Sequence, residues 1–262
     1  MSNCNNYFFF FNKIFCFYNF FFSFYNFCFS LIAKIILYIN YPNQLSADFY
    51  TLINTPKAKR LGIKFFRPNY LFFERFNSNS VIIDAGCGYQ ADFSCTLIKD
   101  YNLQAFGIDP TLKHKPFLAD LEAKNNGKFK HVPVAITKNN GKITFNETLD
   151  NESGSILAEL KNILHDSIRT YEVESMNLLI LIDHLKLKEV DLLKLDLEGA
   201  EFELLNSISK EELLPFKQIF IEFHHLAVKK YSKKDTNRIV DRIKSFGFKS
   251  FTLDRINYLF YK

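Results

Sequence analysis

The strongest constraint on this chain begins after Ser80, where short, wholly apolar runs alternate with amphipathic stretches and each run closes on an acid. Val81-Ile82-Ile83 ends in Asp84, and Ala105-Phe106-Gly107-Ile108 ends in Asp109. Asp191 to Leu195 ends in Asp196 with Glu198 just beyond, and Gln218 to Ile221 ends in Glu222 with His224 two residues on. Strands that are apolar on both faces must be covered on both faces. The pattern therefore predicts an α/β fold with a mainly parallel, seven-stranded sheet, right-handed crossovers and helices on either side. Helices are expected over residues 91 to 101, Glu198 to Ile208 and Asp235 to Ser245. His131 to Ile136 is a further strand in which Pro133, lacking an N–H, demands an edge or a strand start. Lys142 to Phe145 suggests an inserted hairpin, and two last strands, 248 to 253 and 257 to 261, pair antiparallel as one edge of the sheet.

In open sheets of this kind ligands bind beyond the carboxyl ends of the strands, where these acids collect. The segment Gly86-Cys87-Gly88-Tyr89-Gln90-Ala91 fits the glycine pattern of a nucleotide-binding turn, and Asp109 follows Gly88 by 21 residues, where a ribose-binding carboxylate belongs. Asp84 discriminates between ligands. A dinucleotide would bring a negative pyrophosphate to that carboxylate, whereas S-adenosylmethionine would bring an ammonium group and a sulfonium. Opposite charges about 4 Å apart in a partly desolvated site gain on the order of a few kcal/mol before desolvation. A methyl donor is thus the favoured cofactor, with an NAD-dependent oxidoreductase or a non-catalytic, membrane-tethered nucleotide-binding module as the alternatives.

The segments VIIDAGCGYQADFS, GIDP, VPVAIT, NESGSI and above all VDLLKLDLEGAEFELL resemble the FkbM family of S-adenosylmethionine-dependent O-methyltransferases, over roughly residues 78 to 250. The resemblance implies a Rossmann-like class I methyltransferase fold. It implies that Asp84, Gly86 and Gly88 surround the methionine end of the cofactor, that Asp109 holds the ribose hydroxyls, and that Ala135 of VPVAIT joins the cofactor-binding set. Asp196 and Glu198 would border donor and acceptor. The acceptor it suggests is a hydroxyl of a small molecule, a glycan or a lipid-linked sugar.

Methyl transfer is an in-line displacement, so most of its acceleration comes from holding the acceptor oxygen about 3 Å from the methyl carbon, opposite the sulfur. A hydroxyl acceptor also has to lose its proton to a base. Side-chain alternation places Phe220, Glu222 and His224 on one strand face. His224 is the first choice of base, because an ordinary imidazole titrates near pH 6.5; Asp196 is the competing base or an orienting group. Lys194 shares the face of Asp196, and a lysine in a central strand is expected to pair with a neighbouring acid. Glu201 is expected to stabilise the first turn of the following helix. His114, His165 and His184 show no ligand spacing and are expected at the surface, and no metal site is expected.

The first forty residues differ from the rest of the chain. Twelve of the 31 Phe lie in the first 30 positions, and Lys13, Lys34, Lys57, Lys59 and Arg60 face Asp48 alone, so most of the net charge of +5 sits before residue 61. The remainder is nearly neutral, which argues against a nucleic-acid partner. Ile14 to Ala33 carries no charge and has about the length a helix needs to cross a bilayer. A membrane anchor over residues 14–38 is expected, with the C-terminal domain in the cytosol. A buried helix or a tail outside the fold, and with it a cytoplasmic protein, is the other reading. The expected organisation is a hydrophobic segment 1–40, a lead-in 41–76 and a methyltransferase-like domain 77–262. Five Cys without metal or framework spacing point to a reducing compartment, with Cys87 and Cys95 as small buried side chains.

Overall fold

Four of the expected apolar runs become neighbouring parallel strands: β3 (Val81–Ala85), β4 (Gln104–Ile108), β10 (Leu192–Leu195) and β11 (Gln218–Glu222). The computed structural model describes residues 42–66, 70–158 and 167–262. The hydrophobic run from Ile14 to Ala33, with the membrane anchor expected of it, lies outside the described residues. Among the described residues no helix is long and apolar enough to cross a membrane. The chain divides into two compact units, Met1–Tyr50 and Thr51–Lys262, and the second holds all the described strands.

Together with β5 (Phe129–Val132), β12 (Lys249–Thr252) and β13 (Asn257–Tyr261), these strands form a seven-stranded sheet in the order β12-β13-β11-β10-β3-β4-β5. Strands β11 through β5 are parallel, while β13 runs antiparallel to both β11 and β12, so the sheet is mixed, with the expected antiparallel edge. The strand order reverses between β3 and β10, which opens a crevice at their carboxyl ends.

Each central strand feeds two cores, as its double-sided apolar sequence requires. Ile83, Phe106, Leu193 and Ile219 enter one cluster, while Ile82, Ala105, Leu192 and Phe220 enter the other. The first is covered by α4 (Leu178–His184), α5 (Glu201–Asn206) and α7 (Lys233–Ser245), the second by α2 (Asp92–Tyr101). Fully buried Phe202, Phe216, Phe220 and Phe260 each contribute about 1.5–3 kcal/mol by removal from water. Helix α7 begins at a capping box between Ser232 and Asp235, two residues before the expected start.

Two stretches fold differently from expectation. Pro133 splits the run His131 to Ile136: β5 ends at Val132 on the edge of the main sheet, and β6 (Ala135–Ile136) joins a second sheet. That sheet, in the order β6-β9-β7-β8, contains β7 (Gly141–Thr148), β8 (Gly154–Ser155) and β9 (Ile168–Met176), so the expected hairpin is the core of a four-stranded insertion. Before the main domain, α1 (Pro42–Leu61) is followed by a hairpin of β1 (Ile63–Phe66) and β2 (Tyr70–Phe73), which the sequence did not signal. Its Leu71, Phe72 and Phe73 are buried. The buried Gln218 side chain accepts a hydrogen bond from the Phe73 N–H at 2.7 Å and donates to its carbonyl at 3.2 Å, docking β2 as an extra strand would be docked.

Candidate active site

The acids that close β3, β4 and β10 meet in one cavity of about 360 Å³ at the carboxyl ends of those strands, while Glu222 at the end of β11 lies outside its lining. Its walls come from the turn after β3, the turn after β4, the β10–α5 turn, the β6–β8 insertion and the β1–β2 hairpin. The expected cofactor set Asp84, Gly86, Gly88, Asp109 and Ala135 all line it, as do Asp196 and Glu198. His224 does not line it but lies against Asp196 and Glu198, with Nε2 3.6 Å from Asp196 Oδ1 and 3.7 Å from Glu198 Oε2.

On the β3 side the charges are paired. Asp84 is 1% exposed; it accepts a hydrogen bond from Ser94 Oγ at 2.8 Å and forms an ion pair with Lys194 Nζ at 3.0 Å. Lys194 also reaches Asp196 Oδ2 at 3.4 Å, donates to the Gly86 carbonyl at 3.2 Å and lies 5.0 Å from the centre of the Tyr70 ring. Burial alone would lower the lysine's pKa, but Asp84, Asp196 and Tyr70 outweigh it and hold the ammonium charged. The pairing expected of Lys194 is therefore present, and the chain itself supplies a cation facing Asp84.

Gly86 has φ +73°, and a Cβ there would lie 1.8 Å from the Asp196 carbonyl oxygen, so the turn after β3 closes directly on the turn after β10. Gly88 has φ +65° with open space where a Cβ would stand, and its N–H donates to Asp109 Oδ2 at 3.0 Å. Asp109 is held by its own neighbourhood as well: Oδ1 accepts from the Thr111 N–H at 2.9 Å, and Oδ2 faces His114 Nδ1 at 3.2 Å. Burial raises this carboxyl's pKa, but the His114 ring and Thr111 more than reverse that, and the net shift is downward. His114 is thus buried at 4% exposure, not at the surface as expected. His184 is exposed, and His165 lies outside the described residues.

On the β10 and β11 side acids outnumber cations. The helix expected from Glu198 starts only at Glu201. Leu197 to Ala200 form a turn in which Glu198 takes the left-handed φ of +49° and Gly199 +95°. The Glu198 carbonyl accepts from Ser155 Oγ at 2.9 Å, tying the insertion to the site. Burial raises the Glu198 pKa, and Asp196 and Glu201 add to it against the pull of His224. Burial and the Asp196 charge push Glu222 to about 7. Tyr70 donates to Asp196 Oδ2 at 3.2 Å.

His224 itself is surrounded by carboxylates. Burial would favour the neutral ring, but Glu201, Asp196 and Glu198 raise its pKa to about 10. At neutral pH it already carries its proton, so it is not the near-neutral base expected from its residue type.

Four residues of the site escaped the sequence reading. Tyr70 sits in a stretch broken by prolines, and Ser94 and Ser155 carry no pattern of their own. Glu201 was assigned to the helix start. The signal that could have found it is its place directly after Gly199-Ala200, where its carboxylate reaches back to the Gly199 N–H and the His224 ring. Cys87 and Cys95 are half-buried free thiols. Among the described residues no group of three or more His, Cys, Asp or Glu is arranged to hold a metal ion.

The cavity fits a polar, cation-bearing cofactor of nucleotide size. Its volume is in the range of small-molecule sites, and among its lining atoms His114 Nε2 is buried without a hydrogen-bond partner, while Glu198 Oε2 has no hydrogen bond and faces His224 Nε2 at 3.7 Å.

Comparison with solved structures finds distant resemblances. TrmK from M. capricolum, in complex with S-adenosyl-homocysteine, shares 12% identity at a TM-score of 0.38, over 71% of this chain and 62% of that one. This chain therefore spans less than two thirds of that protein's length. The Methanococcus jannaschii fibrillarin pre-rRNA processing protein shares 12% at 0.43, over 76% and 70%. Aeropyrum pernix fibrillarin with natively bound S-adenosyl-L-methionine shares 8% at 0.40, over 71% and 66%. These likenesses are too distant to carry residues or ligands over. No curated protein matches the chain. The methyltransferase FkbM domain, by contrast, matches residues 62–250, taking in the β1–β2 hairpin, the second sheet, the main sheet up to the start of β12 and every residue of the cavity. A match over that much of the sequence, on a sheet and crevice of the kind its motifs led one to expect, makes this chain a member of the FkbM methyltransferase family.

Proposed function

We propose that the protein is an S-adenosylmethionine-dependent O-methyltransferase acting on a hydroxyl of a small molecule, a glycan or a lipid-linked sugar. The observation that carries the choice of cofactor is the charge of the cavity. Asp84, Asp92, Asp109, Glu152, Asp196 and Glu198 line it against Lys194 and His114. Such a lining attracts a cation and repels a pyrophosphate. The alternative dinucleotide would place its diphosphate at the start of α2, where Asp92 stands in the first turn and Ala91 has a left-handed φ of 43°. A carboxylate there opposes the anion that a helix N-terminus would otherwise receive.

When bound, S-adenosylmethionine supplies an electrophilic methyl group on a sulfonium whose positive charge disappears on transfer. The chain's own groups would hold it in place. Asp84, held by Ser94, would form the floor of the methionine end, the backbone of Gly86 to Ala91 the wall, and Asp109, fixed by Gly88, Thr111 and His114, would face the ribose. Asp196 and Glu198 border the acceptor, with Tyr70 and Lys194 orienting Asp196. Closing this space to water strengthens each of these interactions. Membrane association through residues 14–38, with the domain on the cytosolic side, belongs to the proposal on the sequence of that stretch.

Calorimetric titration of the full chain with S-adenosylmethionine and with NAD tests the reading. S-adenosylmethionine is expected to bind and NAD not to, and Asp84→Asn is expected to weaken the former at least tenfold. Tighter binding of NAD, improved further by Asp84→Asn, would overturn it.

A further inference from the structure

The His224 ring is flanked by hydrogen-bond acceptors on both sides. Glu201 Oε1 accepts from the His224 backbone N–H at 2.7 Å and faces the ring Nδ1 at 3.2 Å, while Glu201 Oε2 accepts from the Gly199 N–H at 2.9 Å. Glu201 is 0% exposed, so these three contacts are how a fully buried carboxylate is satisfied. On the other edge of the ring, Nε2 looks at Asp196 Oδ1 and Glu198 Oε2 at ion-pair distance. An ionised carboxylate only accepts, and a neutral imidazole has one nitrogen that only accepts. A neutral ring would therefore turn a lone pair toward a carboxylate on one side or the other.

We infer that Glu201 is a positioning residue that fixes His224 as a doubly protonated ring, and that Glu198 is the group in the cavity that takes the proton of the acceptor hydroxyl. The inference rests on the methyltransferase reading for its second half only. In the step it describes, the acceptor oxygen bonds to the methyl carbon as the carbon–sulfur bond breaks. The bonding pair stays on sulfur, and the hydroxyl proton passes to the Glu198 carboxylate and from there to water.

Glu198 is favoured over its neighbours by its partners. Asp196 Oδ2 is already engaged by Lys194 and the Tyr70 hydroxyl, which leaves that oxygen less free to meet a substrate hydroxyl. Glu222 does not line the cavity. Glu198 Oε2 is buried without a hydrogen-bond partner, and the backbone that presents it is held in a left-handed conformation by Ser155. His224 then acts as a fixed cation behind Glu198, steadying its charge without giving up a proton. The charged groups facing His224 are Glu201 on α5, Asp196 and Glu198 in the β10–α5 turn, and Glu222 and His225 on its own segment. The four acids carry the sign that holds the ring's proton, while burial favours the neutral form of His225.

Nitrogen-15 NMR of histidine-labelled full chain, without ligand, tests the first half. Both ring nitrogens of His224 are expected to stay protonated through pH 8. Glu201→Gln is expected to make that proton at least tenfold easier to lose, one pH unit or more, and Glu201→Asp to restore most of the difference. Titration of His224 near pH 6.5 in the unaltered chain overturns the inference, and this measurement stands even if Glu201→Gln does not fold. For the second half, carbon-13 labelling of glutamate side chains is expected to show Glu198, assigned by Glu198→Gln, titrating above an ordinary carboxylate. Its titration should move back down when Glu201→Gln removes a neighbouring like charge while the ring keeps its proton. A Glu198 that titrates as a surface glutamate overturns its role. None of these titrations needs a cofactor, so they fail or succeed independently of the calorimetric test of S-adenosylmethionine binding.

Discussion

Asp84 and Glu198 are acids on the wall of the same cavity, the first buried and the second half-buried, and they are treated in opposite ways. Asp84 has a buried ammonium at 3.0 Å and a serine hydroxyl at 2.8 Å, so its charge is matched inside the fold. Glu198 has one oxygen without a hydrogen-bond partner and shares a single imidazolium with Asp196 and Glu201. A matched charge is one the site keeps; an under-matched charge is one whose protonation can change during a reaction. The half of the cavity built on β3 is thus suited to holding a cation in place, and the half built on β10 and β11 to receiving a proton.

The largest expected effect comes from breaking the matched half. Lys194→Met leaves Asp84 and Asp196 without their shared cation, and a buried acid stripped of its partner typically loses about 3–5 kcal/mol. Urea unfolding should show that loss, and adding Asp84→Asn to the same chain should recover much of it. A silent Lys194→Met would mean that the two halves are not different in kind. The seam between the halves is tested next. Gly86→Ala drives a Cβ into the Asp196 carbonyl at a positive φ, whereas Gly88→Ala meets nothing within 4 Å and suffers only its backbone strain. The first should lose about 3 kcal/mol or more and the second about 1 kcal/mol, by the same unfolding measurement.

An effect seen only at one end of the pH range sharpens the under-matched half. The Glu222 pKa in the folded chain is about 7, above the ordinary 4.5. Its contribution to stability is therefore complete below pH 4.5 and is lost as pH rises through 7. Glu222→Gln should leave stability unchanged at pH 4 and raise it by about 1–3 kcal/mol at pH 8. Thermal unfolding at the two pH values measures the difference.

Much of this arrangement was legible before folding. Apolar runs closing on Asp84, Asp109, Asp196 and Glu222 marked both the strands and the end of the sheet where the cavity opens, because strand burial and side-chain alternation are local properties of sequence. The start of α5 was misplaced because Glu198 favours a helix by composition, yet the approach of Gly86 to the Asp196 carbonyl and the grip of Ser155 hold Leu197 to Ala200 in a turn. The β1–β2 hairpin went unseen because its reason for forming lies elsewhere, in Gln218 and in the apolar face of the sheet. His114 was assigned to the surface because nothing near it in sequence, apart from Asp109, shows that it will be covered.

By itself the sequence determined the layers of the fold, the edge at which its strands turn back, and the family to which the cavity belongs. Only the tertiary structure decided which acids would be neutralised and which histidine would carry a proton. Tyr70 and Asp196 are 126 residues apart and Lys194 and Gly86 are 108 apart, yet all four share one site. Protonation follows from distances and burial in three dimensions, to which residue type contributes only a starting value.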